Sequence, residues 1–254
     1  MLNLNFDLYP FLIAFSILID VFLIEFYFRK NGYGKENAIA FELNLVIAAF
    51  FGVVGAILRQ NLYDFIENPH TYHFTWSMTF FGGLLFGAGS FLLGYYFVIR
   101  KKYPKSLSPI LSLAGACIPF SHGIGRIGCF LDGCCYGKPV PENSPFAWIG
   151  IKFHTTSVKV YPTNLFECIF LLLLASILFY LVFKKHSSYT LSIYRISYGI
   201  FRFLIEYLRG DHRGSFIPGI SPSQFWSLRL FIGGILYFVL LLILKRNKFN
   251  SETN

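Results

Sequence analysis

The chain has 254 residues, of which 55% are hydrophobic, 20% aromatic and only 14% charged, with a formal net charge of +9 and a mean hydropathy of +0.55. Soluble domains carry about a quarter of their residues as charges, so 31 Phe and 16 Tyr leave too little polar surface for a globule in water, and the same balance excludes a disordered tail. The solvent must be lipid, and the excess of Lys and Arg is then a topology signal and not a sign of nucleic acid.

Seven apolar stretches approach the ~20 residues that cross the hydrocarbon layer: Leu8–Phe28, Ala38–Leu58, Met78–Ile99, Leu107–Ile127, Thr163–Phe183, Tyr189–Leu208 and Phe225–Leu244. The first does not read as a cleavable signal peptide, because no basic region precedes it, Asp7 flanks it and no small-residue cleavage site follows. The expected fold is therefore all-α: about seven transmembrane helices forming one domain over 1–254, with one irregular outer-face loop over 122–160.

Basic residues follow alternate spans: Arg29, Lys30 and Lys35 the first, Arg100, Lys101, Lys102 and Lys105 the third, Lys184 and Lys185 the fifth, Lys245, Arg246 and Lys248 the seventh. The positive-inside rule makes these segments cytoplasmic, with the N-terminus outside and the C-terminus inside. Segment 122–160 keeps Arg126, Lys138, Lys152 and Lys159 on the outer face against that bias. Its runs 147–153 and 154–160 suggest a short hairpin.

An ionised side chain within a span costs at least about 2.5 kcal/mol, so such residues usually face a polar cavity. Arg126, Glu167, Arg202, Glu206 and Arg209 all fall at outer-leaflet depth. On the sixth span Arg195, Tyr198, Arg202, Glu206 and Arg209 recur at intervals of 3, 4, 4 and 3, one helical face. A structural ion-pair ladder, with Glu206 neutralising Arg202 and Arg209, is one reading. The other starts from the surplus of positive charge on that face, which calls for an anion, and at this depth the simplest anion is a phospholipid head group held by arginine forks. Asp20, Glu25 and Glu42 are expected to satisfy Arg195 or line an inner vestibule, and Arg229 to snorkel or pair.

The stretch His122–Gly137 holds five glycines in sixteen residues and three of the five cysteines, Cys129, Cys134 and Cys135. That glycine content predicts a helix break near Gly128 and an irregular loop lining a cavity. Backbone N–H groups there would join Arg126 around a phosphate.

Gly125-Arg-Ile-Gly-Cys-Phe-Leu-Asp-Gly133, followed by Tyr136-Gly137, resembles the signature of prolipoprotein diacylglyceryl transferases. Tyr161-Pro-Thr-Asn-Leu-Phe-Glu167, the Tyr198–Arg209 helix, Ser223-Gln-Phe-Trp-Ser227 and Thr79-Phe-Phe-Gly-Gly-Leu84 are similar to further motifs of that family, and Tyr9 to an early family tyrosine. The resemblance implies a multi-pass enzyme of the bacterial inner (plasma) membrane. It would move the diacylglyceryl group of phosphatidylglycerol onto the lipobox cysteine thiol of a prolipoprotein signal peptide, with membrane lipids as its other partners and no cofactor, metal or nucleic acid. By motif position Arg126 and Arg202 would hold the phosphate, and Tyr9, Asp132, Glu167, Tyr198, Glu206 and Arg209 would bind or orient substrate.

Several positions depart from the family pattern: Phe81 stands where the family has histidine, Cys129 and Asp132 where it has asparagine, and Cys134 where it has an acidic residue. His122, one helical turn before Arg126, is the candidate replacement base. For the cysteines three readings stand: a structural disulfide from Cys129 to Cys134 or Cys135, a reactive or exchanging thiol pair, and a zinc site with His122, disfavoured by the lack of a repeated Cys-x₂₋₄-Cys pair. The alternatives to the family reaction are transfer to another acceptor, a non-catalytic lipid-binding homologue, and a membrane thiol-disulfide oxidoreductase.

Overall fold

The computed structural model describes residues 8–67, 69–104, 106–210 and 219–253. Its helices are α1 (Leu8–Lys30), α2 (Lys35–Glu67), α3 (Phe80–Gly94), a π-helical turn (Tyr95–Ile99) running on into α4 (Arg100–Lys102), α5 (Leu107–Leu131), α6 (Thr163–Lys185), α7 (Thr190–Ile205) closed by a 3₁₀ turn (Glu206–Leu208), and α8 (Pro222–Thr253). Among the described residues there is no strand beyond isolated bridges, so the all-α expectation holds.

Six segments are long and apolar enough to cross a membrane: Phe11–Lys30, Lys35–Ile66, Gly82–Lys102, Leu107–Leu131, Thr163–Lys185 and Pro222–Asn247. The seventh expected span is α7, a 16-residue helix shorter than the ~20 residues a crossing needs. It ends early because Glu206–Leu208 tightens to 3₁₀ and Arg209 turns extended, which frees the Leu208 carbonyl to accept from Lys138 N–H at 2.8 Å. The spanning helices turn large apolar side chains outward, Phe22 and Leu18 on α1 and Leu173 and Ile177 on α6 among them. That outward display suits lipid as the surrounding solvent.

The chain forms two compact units, which divide within α1 at Asp20. One, Val21–Ser108, is built on α2 and α3. These two pack backbone to backbone: a Cβ on Gly52 would lie 3.2 Å from the Gly83 carbonyl oxygen and 3.5 Å from the Gly87 Cα, an approach only small residues permit. The π turn follows the point where Asn44 Nδ2 donates to the Phe91 carbonyl.

The other unit, the described parts of Met1–Asp20 and Pro109–Asn254, carries the site. The inner face of α6 is Leu171, Leu174, Ala175, Leu178 and Val182, all buried, the 3–4 spacing of a helix stripe. Thr190 Oγ1 donates to the Ser112 carbonyl at 2.6 Å and ties the start of α7 to α5. On the opposite side α7 lies against α8, where a Cβ on Gly199 would meet the Ser227 carbonyl oxygen at 2.9 Å.

Two local expectations need correction. The glycine-rich segment does not break at Gly128, since α5 continues to Leu131. Its stop is a Schellman turn: Gly133 takes φ +60°, Cys134 N–H donates to the Cys129 carbonyl and Gly133 N–H to the Phe130 carbonyl. Gly123, Gly125 and Gly128 are all buried within the helix, and a Cβ would meet Leu172 of α6 at Gly123 and Ile13 of α1 at Gly125. The hairpin is reduced to bridges: Ile151 and Val160 exchange both backbone hydrogen bonds, Pro139 pairs with Val160, and 147–149 is a 3₁₀ turn.

Asp20 is satisfied differently from expectation too. Its carboxylate accepts from Ser121 Oγ at 2.6 Å on α5, while Glu25 pairs with Arg29 one turn along α1. Arg229 stacks over Trp226, its guanidinium carbon 4.9 Å from the ring centre.

Candidate active site

Glu167, on the first turns of α6 and 1% exposed, is where three helices meet. Its Oε2 stands 3.0 Å from Arg126 Nε, and its Oε1 accepts from Arg126 Nη2 at 3.2 Å and from the Tyr198 hydroxyl at 2.6 Å. His122 Nε2 lies 3.7 Å from the same Oε1. The His122 ring meets the Tyr198 ring edge-on at 5.2 Å, and Tyr194 stacks on the far side of Tyr198. Arg126 and His122 share a face of α5 because they are four residues apart, and Tyr194 and Tyr198 share a face of α7 for the same reason.

A second pair continues the line along α7. Arg202 Nη1 donates to Glu206 Oε2 at 2.7 Å, and Arg202 Nη2 donates to Ser223 Oγ at 3.0 Å at the start of α8. The other Glu206 oxygen accepts from Ser221 Oγ at 2.9 Å. Arg209 does not share Glu206 in the expected ladder; its Nη1 reaches the Cys135 carbonyl at 3.3 Å. Arg195 packs against Gly233 and Gly234 of α8, so it belongs to the helix interface and not to this cluster.

The residues thus brought together are His122, Arg126, Glu167, Tyr198, Arg202 and Glu206. Asp132 sits apart, exposed in the turn that ends α5. The side chains of Tyr9 and Phe81 lie outside the described residues. With Arg209 at the turn, three guanidiniums and two carboxylates gather in a largely buried region. Both oxygens of Glu167 already accept hydrogen bonds or face Arg126.

Residues with no role assigned from the sequence complete the site. Asn164, fully buried and one turn before Glu167 on α6, donates from Nδ2 to the carbonyls of Cys134 (2.8 Å) and Cys129 (3.3 Å). Thr163 Oγ1 donates to the Cys135 carbonyl at 3.0 Å. The spacing Asn164 to Glu167 was the available signal, since it places both on one helical face.

All five cysteines are free thiols, and the sulfurs of Cys129, Cys134 and Cys135 lie within 4.8 Å of one another. Arg126 Nη1 approaches Cys129 Sγ at 3.9 Å. In the loop, the Cys129 thiol and then the positive charges of Arg126 and Arg209 hold the Cys135 thiol below its ordinary pKa, against the opposing effect of burial.

The family model described as prolipoprotein diacylglyceryl transferase matches residues 1–240. A phosphatidylglycerol–prolipoprotein diacylglyceryl transferase of Clostridium tetani is 32% identical over 91% of this chain and 91% of its own length. A second such protein, of Clostridium perfringens, is 32% identical over 91% of this chain and 89% of its own, and one of Aliivibrio fischeri 33% over 82% and 75%. The motifs that meet around Glu167 are the ones whose resemblance pointed the same way. The chain belongs to the prolipoprotein diacylglyceryl transferase family.

Proposed function

We propose that this protein transfers the diacylglyceryl group of phosphatidylglycerol to the lipobox cysteine thiol of prolipoprotein signal peptides, as a multi-pass enzyme of the bacterial plasma membrane. The observation that carries the reading is the buried line of Arg126–Glu167–Tyr198 and Arg202–Glu206, two arginine forks already oriented by carboxylates inside one unit of the protein. In the reaction the thiol sulfur bonds to the terminal glyceryl carbon and the bond from that carbon to the phosphate oxygen breaks. Glycerol phosphate departs with that electron pair, and the thiol proton passes to a base.

Each residue has a role in that step. Arg126 and Arg202 hold the phosphate and stabilise the charge that grows on it, in a desolvated setting where preorganised charge acts strongly. Glu167 and Glu206 fix the two forks, Tyr198 locks Glu167, and Arg209 braces the loop at Cys135. Asp132 and, by motif position alone, Tyr9 bind substrate. His122 receives the thiol proton. By loop charge, segment 122–160 faces outward and the C-terminus faces the cytoplasm.

The test is direct. Purified protein in detergent, given phosphatidylglycerol and a lipobox peptide, should add one diacylglyceryl mass to the peptide thiol and release glycerol phosphate in equal amount. Glycerol phosphate release without peptide modification would point to another acceptor, and neither product would leave a lipid-binding homologue.

A further inference from the structure

Cys129, in the last turn of α5, and Cys134 and Cys135, in the loop after it, play no part in the transfer just described, yet their placement is specific. Cys129 Sγ, Cys134 Sγ and Cys135 Sγ lie within 4.8 Å of one another. Thiolates around a tetrahedral ion with metal–sulfur distances of about 2.3 Å sit about 3.8 Å apart, within that range. A disulfide would need two of the sulfurs at about 2.05 Å and would leave the third unpaired.

Their main chain is held from outside the loop. Asn164 ties down the carbonyls of Cys129 and Cys134, and Thr163 and Arg209 tie down that of Cys135. Cys135 has φ +58°, a left-handed conformation that costs a non-glycine residue roughly 1–2 kcal/mol. Such strain persists where the surroundings over-determine it, commonly at ligand clamps. Here the start of α6 and the 3₁₀ end of α7 hold the conformation that keeps three soft donors together.

We infer that Cys129, Cys134 and Cys135 form a three-thiolate site for a thiophilic closed-shell cation of the Zn²⁺ class. Binding exchanges protons for the ion: three thiols and one divalent ion give an anionic tris-thiolate complex and three protons. The Arg126 guanidinium, 3.9 Å from Cys129 Sγ, offsets the resulting negative charge. Among the described residues no fourth His, Cys, Asp or Glu joins the group, so the fourth position is open to water or an exogenous ligand.

Full-length protein purified in detergent with reductant and stripped by chelator should be titrated with Cd²⁺, following the sulfur-to-cadmium charge-transfer absorption, and with Zn²⁺ by competition against an indicator. The expected result is one ion per chain. Cys129→Ser, Cys134→Ser and Cys135→Ser should each weaken binding by roughly 10²-fold or more, while Cys117→Ser and Cys168→Ser leave it unchanged. In wild-type protein Zn²⁺ should also protect the three thiols from maleimide, a readout that needs no variant to fold. Substoichiometric uptake, wild-type affinity in the three serine variants, or a disulfide mapped within 129–135 in protein isolated without reductant would each overturn the site. None of these readouts depends on transferase activity.

Discussion

Tyr198 donates its hydroxyl proton at 2.6 Å to the same Glu167 oxygen that accepts from Arg126, so one buried carboxylate sets the position of groups on α5 and α7 at once. Removing that charge strands Arg126 in a desolvated position. Glu167→Gln should cost roughly 3–5 kcal/mol of stability, the usual penalty for breaking a buried pair, together with most of the activity. Tyr198→Phe keeps the ring against His122 and Tyr194 and should cost only about 1.5–3 kcal/mol, the range for a hydrogen bond to a charged group. Thermal unfolding in detergent, with turnover on the same samples, checks the order; equal effects of the two variants would contradict the hub role.

Arg126→Lys and Arg202→Lys test the phosphate grip. Each arginine uses two nitrogens at once, Arg126 against both oxygens of Glu167 and Arg202 against Glu206 and Ser223. An ammonium keeps the charge but not the planar fork. Both variants should insert normally and lose most turnover, and near-normal rates in both would remove the arginines from phosphate binding.

His122→Gln tests the base. A free thiol with a pKa near ~8.5 is mostly protonated at neutral pH, so loss of a positioned base should lower the rate by about 10²-fold or more. Raising the pH ionises the acceptor thiol unaided, and the variant should then recover part of its rate while the wild type gains less. Full activity of His122→Gln at neutral pH would assign the proton to another group.

Asn164→Ala tests the latch. It leaves the carbonyls of Cys129 and Cys134 without their buried donor, at about 1–3 kcal/mol for each group left unsatisfied. The turn after α5 should loosen, seen as faster amide exchange over 132–137 and weaker metal uptake, while α7 and α8 exchange as in the wild type. Unchanged exchange in the turn would mean that the Schellman bonds suffice alone.

Topology is checked by cysteine labelling from outside intact cells. A single introduced cysteine at Lys152 should react and one at Lys101 should not. The chain between them includes α5, whose 25 residues make a helix about 37 Å long at 1.5 Å per residue, longer than the hydrocarbon is thick. Labelling of position 101 alone would invert the orientation.

Composition and apolar run length were enough to determine lipid as the solvent, the all-α class and the approximate ends of six spans, because in hydrocarbon every backbone group must be bonded within its own segment. The polar residues in those spans were legible as site candidates for the same reason, their cost in lipid. Pairing was not legible. That Glu167 takes Arg126 and Tyr198 and that Asp20 turns to Ser121 are contacts between different helices, which periodicity along one helix does not specify; the i,i+4 pair Arg202–Glu206 is the exception. Glycine content suggested a break at Gly128, but α5 continues through it, with Gly123 and Gly125 against side chains of α6 and α1, and only the fold distinguishes a glycine that ends a helix from one that lets another element approach. The convergence of three cysteine sulfurs was likewise decided by tertiary structure: the left-handed turn at Cys135 is imposed by Thr163, Asn164 and Arg209, residues far away in the chain.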